Sequence, residues 1–388
     1  MFAIPTLVSL FLLAVPNAVY ADPCVAFDAD FNLLAFGLNG KDWNAGNQDS
    51  WGSGSATDIT ASGRPPFDGT NTTCYLAQFF NAVYVLNGDK SNPSNVHIYD
   101  AAAKSWTTQK TNLNNLDLST FVTILDHDTN VFYGLSQGNV WFLDMGEMKA
   151  ATSTALDWTN AQTSPYGTDY QPTMALAQNH IHFIGTPGTP AGSAEIFVIH
   201  FSFFQPQAQA YSGATFPASH GQATSFFQTS GVQQEFAFIP EDFSDVYVIN
   251  VETNTTASLA APSSKDANAR YAASITALVQ LDSSGSVSYI PYKQGDASTN
   301  SAAKWASVAN IAAAVPASSA SATSTGSSAT GTSHSSGTGA PAGTRQSGTS
   351  TATGGSASAT GSGNGAISNV VSFGAIAAAV LSVLVSLH

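Results

Sequence analysis

Val83-Tyr84-Val85-Leu86-Asn87-Gly88 is a short run of β-branched and aromatic residues that stops at a glycine. Such residues favour β-strands, and the run has no helical periodicity. Five more runs of this form occur in the chain, and the six runs close at Gly37, Gly88, Gly134, Gly185, Pro240 and Pro291. Because these closing residues are 46 to 55 residues apart, the sequence predicts six repeats of about 50 residues each.

Each closing run is interpreted as the second strand of its repeat, and other strands recur around it. First strands are predicted near residues 24–28, 120–125, 224–228 and 274–281, before connections that contain Asp, Asn, Gly and Ser. Third strands are predicted at residues 96–100, 140–144, 196–200 and 246–250. Repeats of short strands with this period predict an all-β fold, a six-bladed β-propeller, with seven blades as the alternative.

Two further expectations concern how the fold is completed. Because the first and sixth repeats look incomplete, we expect the N-terminal and C-terminal strands to share one closing blade. A β-sandwich, or two smaller β-domains, is the rival fold for residues 22–313.

The run Ile98-Tyr99-Asp100-Ala101-Ala102-Ala103-Lys104-Ser105-Trp106 resembles the third and fourth strands of a kelch-type propeller blade. In that family a Tyr-Asp pair closes one strand, and a tryptophan opens the outer strand a few residues later. The kelch resemblance extends over most of residues 24–311 and implies a β-propeller. A propeller hosts enzymes, lectins and protein-binding platforms, so the resemblance implies no particular activity.

The chain has two cysteines, Cys24 and Cys74, in equivalent first-strand positions of neighbouring repeats. An even pair of cysteines in a secreted chain is best explained as one disulfide. We therefore expect a bond that ties the first repeat to the second.

The N-terminal residues 1–21 are predicted to be a signal peptide. An apolar run at residues 7–15 is too short for a membrane helix, and small residues precede a cleavage point before Asp22. Asn71-Thr72-Thr73 and Asn254-Thr255-Thr256 are N-glycosylation acceptors, which fits the secretory route. The protein is therefore expected to be extracellular.

The C-terminal part of the chain predicts a stalk and a lipid anchor. Residues 314–364 are rich in Ser, Thr, Gly and Ala, with Arg345 as the only charged residue, which is typical of a disordered, O-glycosylated stalk. Small residues around Asn364, the predicted attachment site, precede residues 365–388 with their uncharged tail. This order is that of a signal for a glycolipid (GPI) anchor, and a transmembrane helix is the alternative. We expect the protein at the cell surface, anchored to the plasma membrane, the cell wall or both.

Charge excludes one class of partner. The chain carries 25 acidic and 11 basic side chains, a net charge of −14. Nucleic acid binding needs clustered Lys and Arg, so we expect none. We expect no cofactor and a monomeric protein.

Aromatic residues between the predicted strands are candidate ligand contacts. Trp43, Trp51, Tyr166 and Tyr170 lie beside Asn, Gln, Asp and Ser, a combination that suits sugar binding because rings stack on C–H faces. The alternative is that the tryptophans pack against an outer strand.

Other candidate chemistry is weaker. His180, His182 and His200 belong to one repeat and are candidate metal ligands, although a role as solvated or hydrogen-bonded histidines explains them better. The Asp28 and Asp126 turns resemble the start of calcium loops but lack the later glycine and bidentate acid, so tight turns explain them better.

The architecture resembles cell-surface and cell-wall proteins of filamentous fungi. We expect a non-catalytic protein that binds a cell-wall glycan or an extracellular protein. The alternatives are a hydrolase that uses two loop carboxylates, among Glu195, Glu241, Asp242 and Asp245, and a structural wall mannoprotein without a specific ligand.

Overall fold

The computed structural model describes residues 21–170 and 172–315. In this part of the chain, six antiparallel sheets each take their four main strands consecutively, or nearly so, from the sequence. Each sheet is one blade, so the all-β prediction and the count of six blades are confirmed, and the rival sandwich is not formed.

The first three blades lie between residues 24 and 163. Blade 1 contains β1 (Cys24–Phe27), β2 (Leu33–Leu38), β3 (Lys41–Gly46) and β4 (Thr57–Asp58). Blade 2 contains β5 (Thr73–Ala77), β6 (Ala82–Leu86), β7 (Val96–Asp100) and β8 (Ser105–Gln109), followed by the short β9 (Thr111–Asn112). Blade 3 contains β10 (Val122–Asp126), β11 (Val131–Ser136) and β12 (Asn139–Asp144), then β13 (Leu156–Asp157), which pairs with β9, and β14 (Thr159–Thr163).

The last three blades follow the same plan. Blade 4 contains β15 (Thr173–Ala177), β16 (His180–Ile184), β17 (Ser193–Val198), β18 (Phe203–Phe204) and β19 (Gln209–Ala210). Blade 5 contains β20 (Ser212–Gly213), β21 (Gly221–Ser225), β22 (Glu235–Pro240), β23 (Val246–Asn250) and β24 (Thr255–Leu259). Blade 6 contains β25 (Arg270–Ala273), β26 (Ala277–Leu281), β27 (Val287–Pro291) and β28 (Ala306–Ser307).

Helices are short. Two α-helices, α1 (Ala297–Ala302) and α2 (Ala309–Ala314), lie before and after β28. Single 3-10 turns are found at Gln48–Ser50, Gln78–Phe80, Leu118–Thr120 and Ile199–Phe201.

The first strands of the blades form a ring. Each of β1, β5, β10, β15, β21 and β25 contacts the first strand of the next blade, and β25 contacts β1 to complete the circle. The first strand of every blade is therefore innermost, and the fourth strand is on the outer edge.

The hydrophobic core is divided among the interfaces between blades. Six clusters of buried side chains occupy the six interfaces. Strand β2 shows why its sequence is continuously apolar: Leu33 and Ala35 face blade 6, whereas Leu34 and Phe36 face blade 2. A strand that packs on both faces cannot alternate polar with apolar residues.

Two of the closing glycines are required by the connection to the next blade. Gly37 has a φ of 76°, and an added Cβ would lie 2.6 Å from the Phe67 ring. Gly185 also has a φ of 76°, and its Cβ would lie 2.8 Å from the carbonyl oxygen of Ser219. In both blades the chain that leaves the outer strand returns across the end of the second strand, which leaves no room for a side chain.

The expectation of a shared closing blade is wrong. Blades 1 and 6 each have four strands of their own. Their interface is held instead by side chains: Arg270 pairs with Asp22 at 3.2 Å, and the Asn310 side chain in α2 donates to the carbonyl oxygens of Ala45 and Ser50.

The assignment of the sixth repeat was also wrong by one strand. Val287–Pro291 was expected to be a second strand but is the third strand, β27. The second strand is β26, which lay within the segment assigned to the first strand. Because β26 and β27 are both short apolar runs, the pattern alone did not distinguish them.

Candidate functional site

A central channel runs along the axis of the propeller. The six innermost strands surround a cavity of about 370 Å³. This volume is within the usual range for small-molecule sites, about 300–1,000 Å³.

One end of the channel is closed by aromatic rings. Phe227 lies 5.7 Å from Phe31 and 5.1 Å from His127, measured between ring centroids. These residues follow the first strands of blades 5, 1 and 3, which are alternate blades of the ring. Their contact therefore crosses the axis. His127 is 4% exposed, and burial lowers its pKa, which favours a neutral ring at this closed end.

The other end of the channel is open, and we call it the mouth. Asn71, His220 and Ala267 line the cavity and are exposed at this end. Arg270 also lies here, where its guanidinium donates to the carbonyl oxygen of Thr72 at 2.9 Å and to Asp22. The guanidinium charge is thus paired by the protein itself.

The wall of the channel offers neutral hydrogen-bonding groups beside apolar ones. Tyr75 bonds Thr123 through its hydroxyl, which lies 2.8 Å from the threonine Oγ1. Burial raises the pKa of Tyr75, so the phenol stays protonated. Other polar lining residues are Asn87, Thr173, Gln222 and Thr224, and apolar ones include Val122 and Met174. Among the described residues, no Asp or Glu lines the cavity.

The predicted disulfide is part of this wall. Cys24 and Cys74 are bonded, with their Cα atoms 5.9 Å apart, and both line the channel. Since Cys24 is in β1 and Cys74 is in β5, the bond joins the innermost strands of blades 1 and 2, which confirms the prediction.

Trp43 and Trp51 are not available to a ligand. Trp43 is 8% exposed and Trp51 is fully buried. Their indole N–H groups donate to the carbonyl oxygens of Leu38 and Gly46. Trp51 also packs against Tyr289 of blade 6, with ring centroids 4.8 Å apart. Both rings belong to the core between blades 1 and 6, which agrees with the alternative that the two tryptophans have a packing role.

Tyr166 and Tyr170 lie together in the connection from blade 3 to blade 4, away from the two tryptophans. Both are half-buried, and their rings meet edge to face with centroids 6.0 Å apart. Tyr166 also contacts Phe183 and Phe204. Burial raises the pKa of both phenols. Neither tyrosine lines the central channel.

The three histidines of blade 4 are in different environments. His182 is 1% exposed and packs against Phe236 at 5.3 Å. His180 is half-buried, and His200 is exposed in a 3-10 turn. Within residues 21–170 and 172–315, no group of three His, Cys, Asp or Glu side chains is placed to hold a metal ion. The structure therefore does not bring these three imidazoles together as a ligand set.

The aspartates of the suspected calcium loops stabilise turns. Asp28 accepts hydrogen bonds from the backbone N–H groups of Asp30 and Asn32. Asp126 accepts one from the Thr129 hydroxyl at 2.7 Å. These contacts agree with the interpretation as tight turns.

Exposed aromatic residues lie elsewhere than expected. Phe79, Phe201 and Phe203 have exposed fractions of 65%, 78% and 52%. Phe79 lies in the 3-10 turn after β5, Phe201 lies in the 3-10 turn after β17, and Phe203 is the first residue of β18. The sequence did not reveal their exposure, because they lie next to buried strands and cannot be distinguished from the apolar residues of those strands.

Several predicted features lie outside the described residues. These are the signal peptide except Ala21, the stalk from residue 316 onward, Asn364 and the C-terminal tail. In the part of the chain that the structure covers, no helix has the length and apolar character needed to cross a bilayer.

The geometry defines the class of the protein as a six-bladed β-propeller whose central channel is closed at one end. No protein-family model matches the chain, and no curated relative was found. The chain is similar to a solved structure described as "Structure of YjhT", with 11% identity, a TM-score of 0.44, and coverage of 70% of this chain and 94% of that one. The fold assignment rests on the strand order described above.

Proposed function

We propose that this protein is a non-catalytic binding protein of the cell surface, and that its channel accepts the end of a neutral glycan chain. The observation that supports this proposal is the one-ended channel lined by neutral hydrogen-bonding side chains, with no Asp or Glu among the described lining residues. A blind channel receives an end of a chain rather than its middle.

The chemistry of the wall suits a sugar. Amide and hydroxyl groups of Gln222 and Thr224 can exchange hydrogen bonds with sugar hydroxyls, and Phe121 and Met174 offer apolar contact to C–H faces. An acidic or basic ligand would need a free countercharge, but the one guanidinium among the described lining residues, that of Arg270, is already paired with Asp22. A neutral glycan matches both features.

The hydrolase alternative receives less support. A glycosidase needs two carboxylates at the reacting bond. The Asp242 carboxylate accepts a hydrogen bond from the backbone N–H of Ser244, which holds its pKa below the usual value and disfavours it as a general acid. Glu195 accepts a hydrogen bond from Thr189. The four candidate catalytic acids do not line the channel; they are Glu195, Glu241, Asp242 and Asp245.

The location forms part of the proposal. A signal peptide, an O-glycosylated stalk and a GPI anchor would hold the propeller outside the cell, as in the fungal cell-surface proteins that the architecture resembles. The GPI lipid would lie in the outer leaflet, and the glycan ligand would belong to the wall. A monomeric propeller with one channel would bind one chain end.

The test measures both binding and turnover. The mature secreted protein is incubated with insoluble wall polysaccharides and with soluble neutral oligosaccharides, and bound protein and released reducing sugar are both quantified. We expect retention without release of sugar. Gln222→Leu, in the channel wall, should reduce retention severalfold because it removes an amide from the site.

Gln162→Leu is the matched control. It makes the same chemical change on the outer strand β14 of blade 3, and it should leave retention unchanged. Release of sugar would show that the function is hydrolysis and not binding alone. Absence of both retention and release would refute glycan binding and favour a protein ligand or a structural wall component.

A further inference from the structure

One of the two N-glycosylation acceptors lies at the mouth of the channel. Asn71 immediately precedes the Thr72-Thr73 pair that leads into β5, is exposed, and lines the cavity together with Thr73. Asn254 lies in the turn between β23 and β24, the third and fourth strands from the axis in blade 5, and does not line the cavity. The same sequence motif therefore occupies one axial and one peripheral position.

The Asn71 side chain is held at the mouth through its oxygen atom. Its Oδ1 accepts a hydrogen bond from Arg270 at 3.4 Å, and the same guanidinium is held by Thr72 and Asp22. The amide nitrogen, which is the atom that carries an N-linked sugar, makes no hydrogen bond to the described residues. With a φ of 58°, Asn71 adopts the left-handed conformation that asparagine tolerates in turns, and the residue is exposed.

We propose that Asn71 carries an N-linked glycan that stands over the mouth and limits the size of what enters the channel. In the modification, a bond forms between Asn71 Nδ2 and the anomeric carbon of an oligosaccharide carried on a lipid diphosphate. The bond from that carbon to the diphosphate oxygen breaks, the lipid diphosphate leaves, and the amide loses one proton. The inference rests on the secretory route and the channel of the proposed function.

The position of the glycan has a consequence for selectivity. An N-linked glycan is bulky and well solvated, so at the mouth it excludes other bulky groups by volume. A slender chain end or a small molecule still passes beside it. The glycan thereby restricts the channel to single chain ends and keeps folded proteins from reaching the side chains that line the channel.

The experiment compares access to the channel with and without this glycan. Both native cysteines are in the disulfide, so Thr224→Cys introduces the single thiol of the chain at the fourth position of β21, in the channel wall. The full chain is produced in a eukaryotic secretory host, and peptide mass mapping measures occupancy at Asn71 and Asn254. The introduced thiol is then labelled with iodoacetamide, which is small, or with maleimide-polyethylene glycol, which is large.

We expect Asn71 to be occupied, and Asn71→Gln to speed labelling by the large reagent severalfold while labelling by iodoacetamide stays the same. Asn254→Gln is the control and should change neither rate. Enzymatic removal of glycans from the folded Thr224→Cys protein should reproduce the effect of Asn71→Gln, which keeps the test valid if that substitution impairs folding.

Two results would overturn the inference. An Asn71 without glycan in a protein glycosylated at Asn254 would refute it and leave the secretory route intact. Equal labelling by the large reagent with and without the Asn71 glycan would show that the glycan does not cover the mouth. If neither asparagine is occupied, both this inference and the secretory route of the proposed function fail.

Discussion

The burial of His182 makes the stability of the propeller depend on pH. The imidazole of His182 packs between Tyr211 and Phe236 at the interface of blades 4 and 5. Burial, with a smaller contribution from the neighbouring His180, lowers the pKa of His182 to about 3. The unfolded chain binds a proton at this residue below a pH of about 6.5, whereas the folded chain does not.

The first prediction follows from this difference in pKa. The free energy of unfolding should fall as the pH is lowered from about 6.5 towards 3, with His182 contributing up to about 1.4 kcal/mol per pH unit. In His182→Leu this part of the slope should be absent, because the neutral side chain binds no proton in either state. Urea unfolding at several pH values measures the slope. A variant that retains the wild-type slope would show that His182 does not titrate in this way.

Single tryptophans illustrate what sequence reasoning could not determine. Trp43 and Trp51 stand among polar residues, so their sequence neighbours suggested exposure. Their burial depends on residues from the other end of the chain, Val308 and Ile311, which belong to the same cluster. No local pattern reports a contact between segments more than 250 residues apart, whereas the disulfide was predictable because only one pairing of two cysteines exists.

At the scale of the strands, β1 and β5 are the elements that the disulfide joins. The bond links Cys24 to Cys74 across a sequence separation of 50 residues, next to the channel. Replacing both cysteines by Ala should lower the free energy of unfolding by about 2–4 kcal/mol, because the unfolded chain regains the entropy of an open loop. Urea unfolding of both proteins measures the loss. With a reducing agent present, the urea midpoint of the wild-type protein should approach that of the variant. The prediction would be refuted if neither the substitution nor the reducing agent changed the urea midpoint.

Helix α2 is the element that fastens the end of the ring to its beginning. The buried Asn310 side chain donates to two carbonyl oxygens of blade 1, and its own backbone bonds Trp51 and Ala56. Asn310→Ala should cost about 1–3 kcal/mol, because it removes a buried donor from both carbonyl oxygens, of which that of Ala45 keeps the Ser50 hydroxyl as a second donor. Thermal and urea unfolding measure the change. Ser307→Ala, at an exposed position of β28, is the control and should unfold as wild type. Equal stability of the two variants would contradict this role for α2.

The elements also show the extent and the limit of sequence-based prediction. Second strands such as β6 and β11 were assigned correctly because they are buried on both faces and end at a sharp turn. The same uniformity misled the assignment in blade 6, where β26 and β27 look alike and only their hydrogen-bonding partners distinguish them. The channel was not predicted at all, because its wall joins six strands that are far apart in sequence.

At the scale of the whole molecule, the ring is closed without a shared blade, so its stability depends on the interface between blades 1 and 6. That interface holds the largest of the six apolar clusters, and the Asp22–Arg270 pair lies at its mouth end. Asp22 is also the residue that would follow cleavage of the signal peptide. Its carboxylate also accepts a hydrogen bond from the backbone N–H of Thr72, so the segment before β1 is tied both to blade 6 and to the start of blade 2.

The final prediction concerns attachment to the cell. If residues 365–388 are exchanged for a glycolipid at Asn364, the protein has no membrane-spanning segment at its C-terminus, and a phosphatidylinositol-specific phospholipase should release it from intact cells. Deleting residues 373–387 should send the protein into the medium, because the attachment signal then lacks its hydrophobic part. Immunoblots of cell and medium fractions measure both effects.

The alternative anchor gives a different result in the same experiment. A transmembrane helix formed by the C-terminal tail would keep the protein on phospholipase-treated cells, because the enzyme cleaves only the lipid headgroup. A protein cross-linked to wall glycan would also resist the phospholipase but would be released by digestion of the wall polysaccharide. Release by phospholipase therefore supports the lipid anchor, and resistance to both treatments would establish a membrane-spanning tail instead.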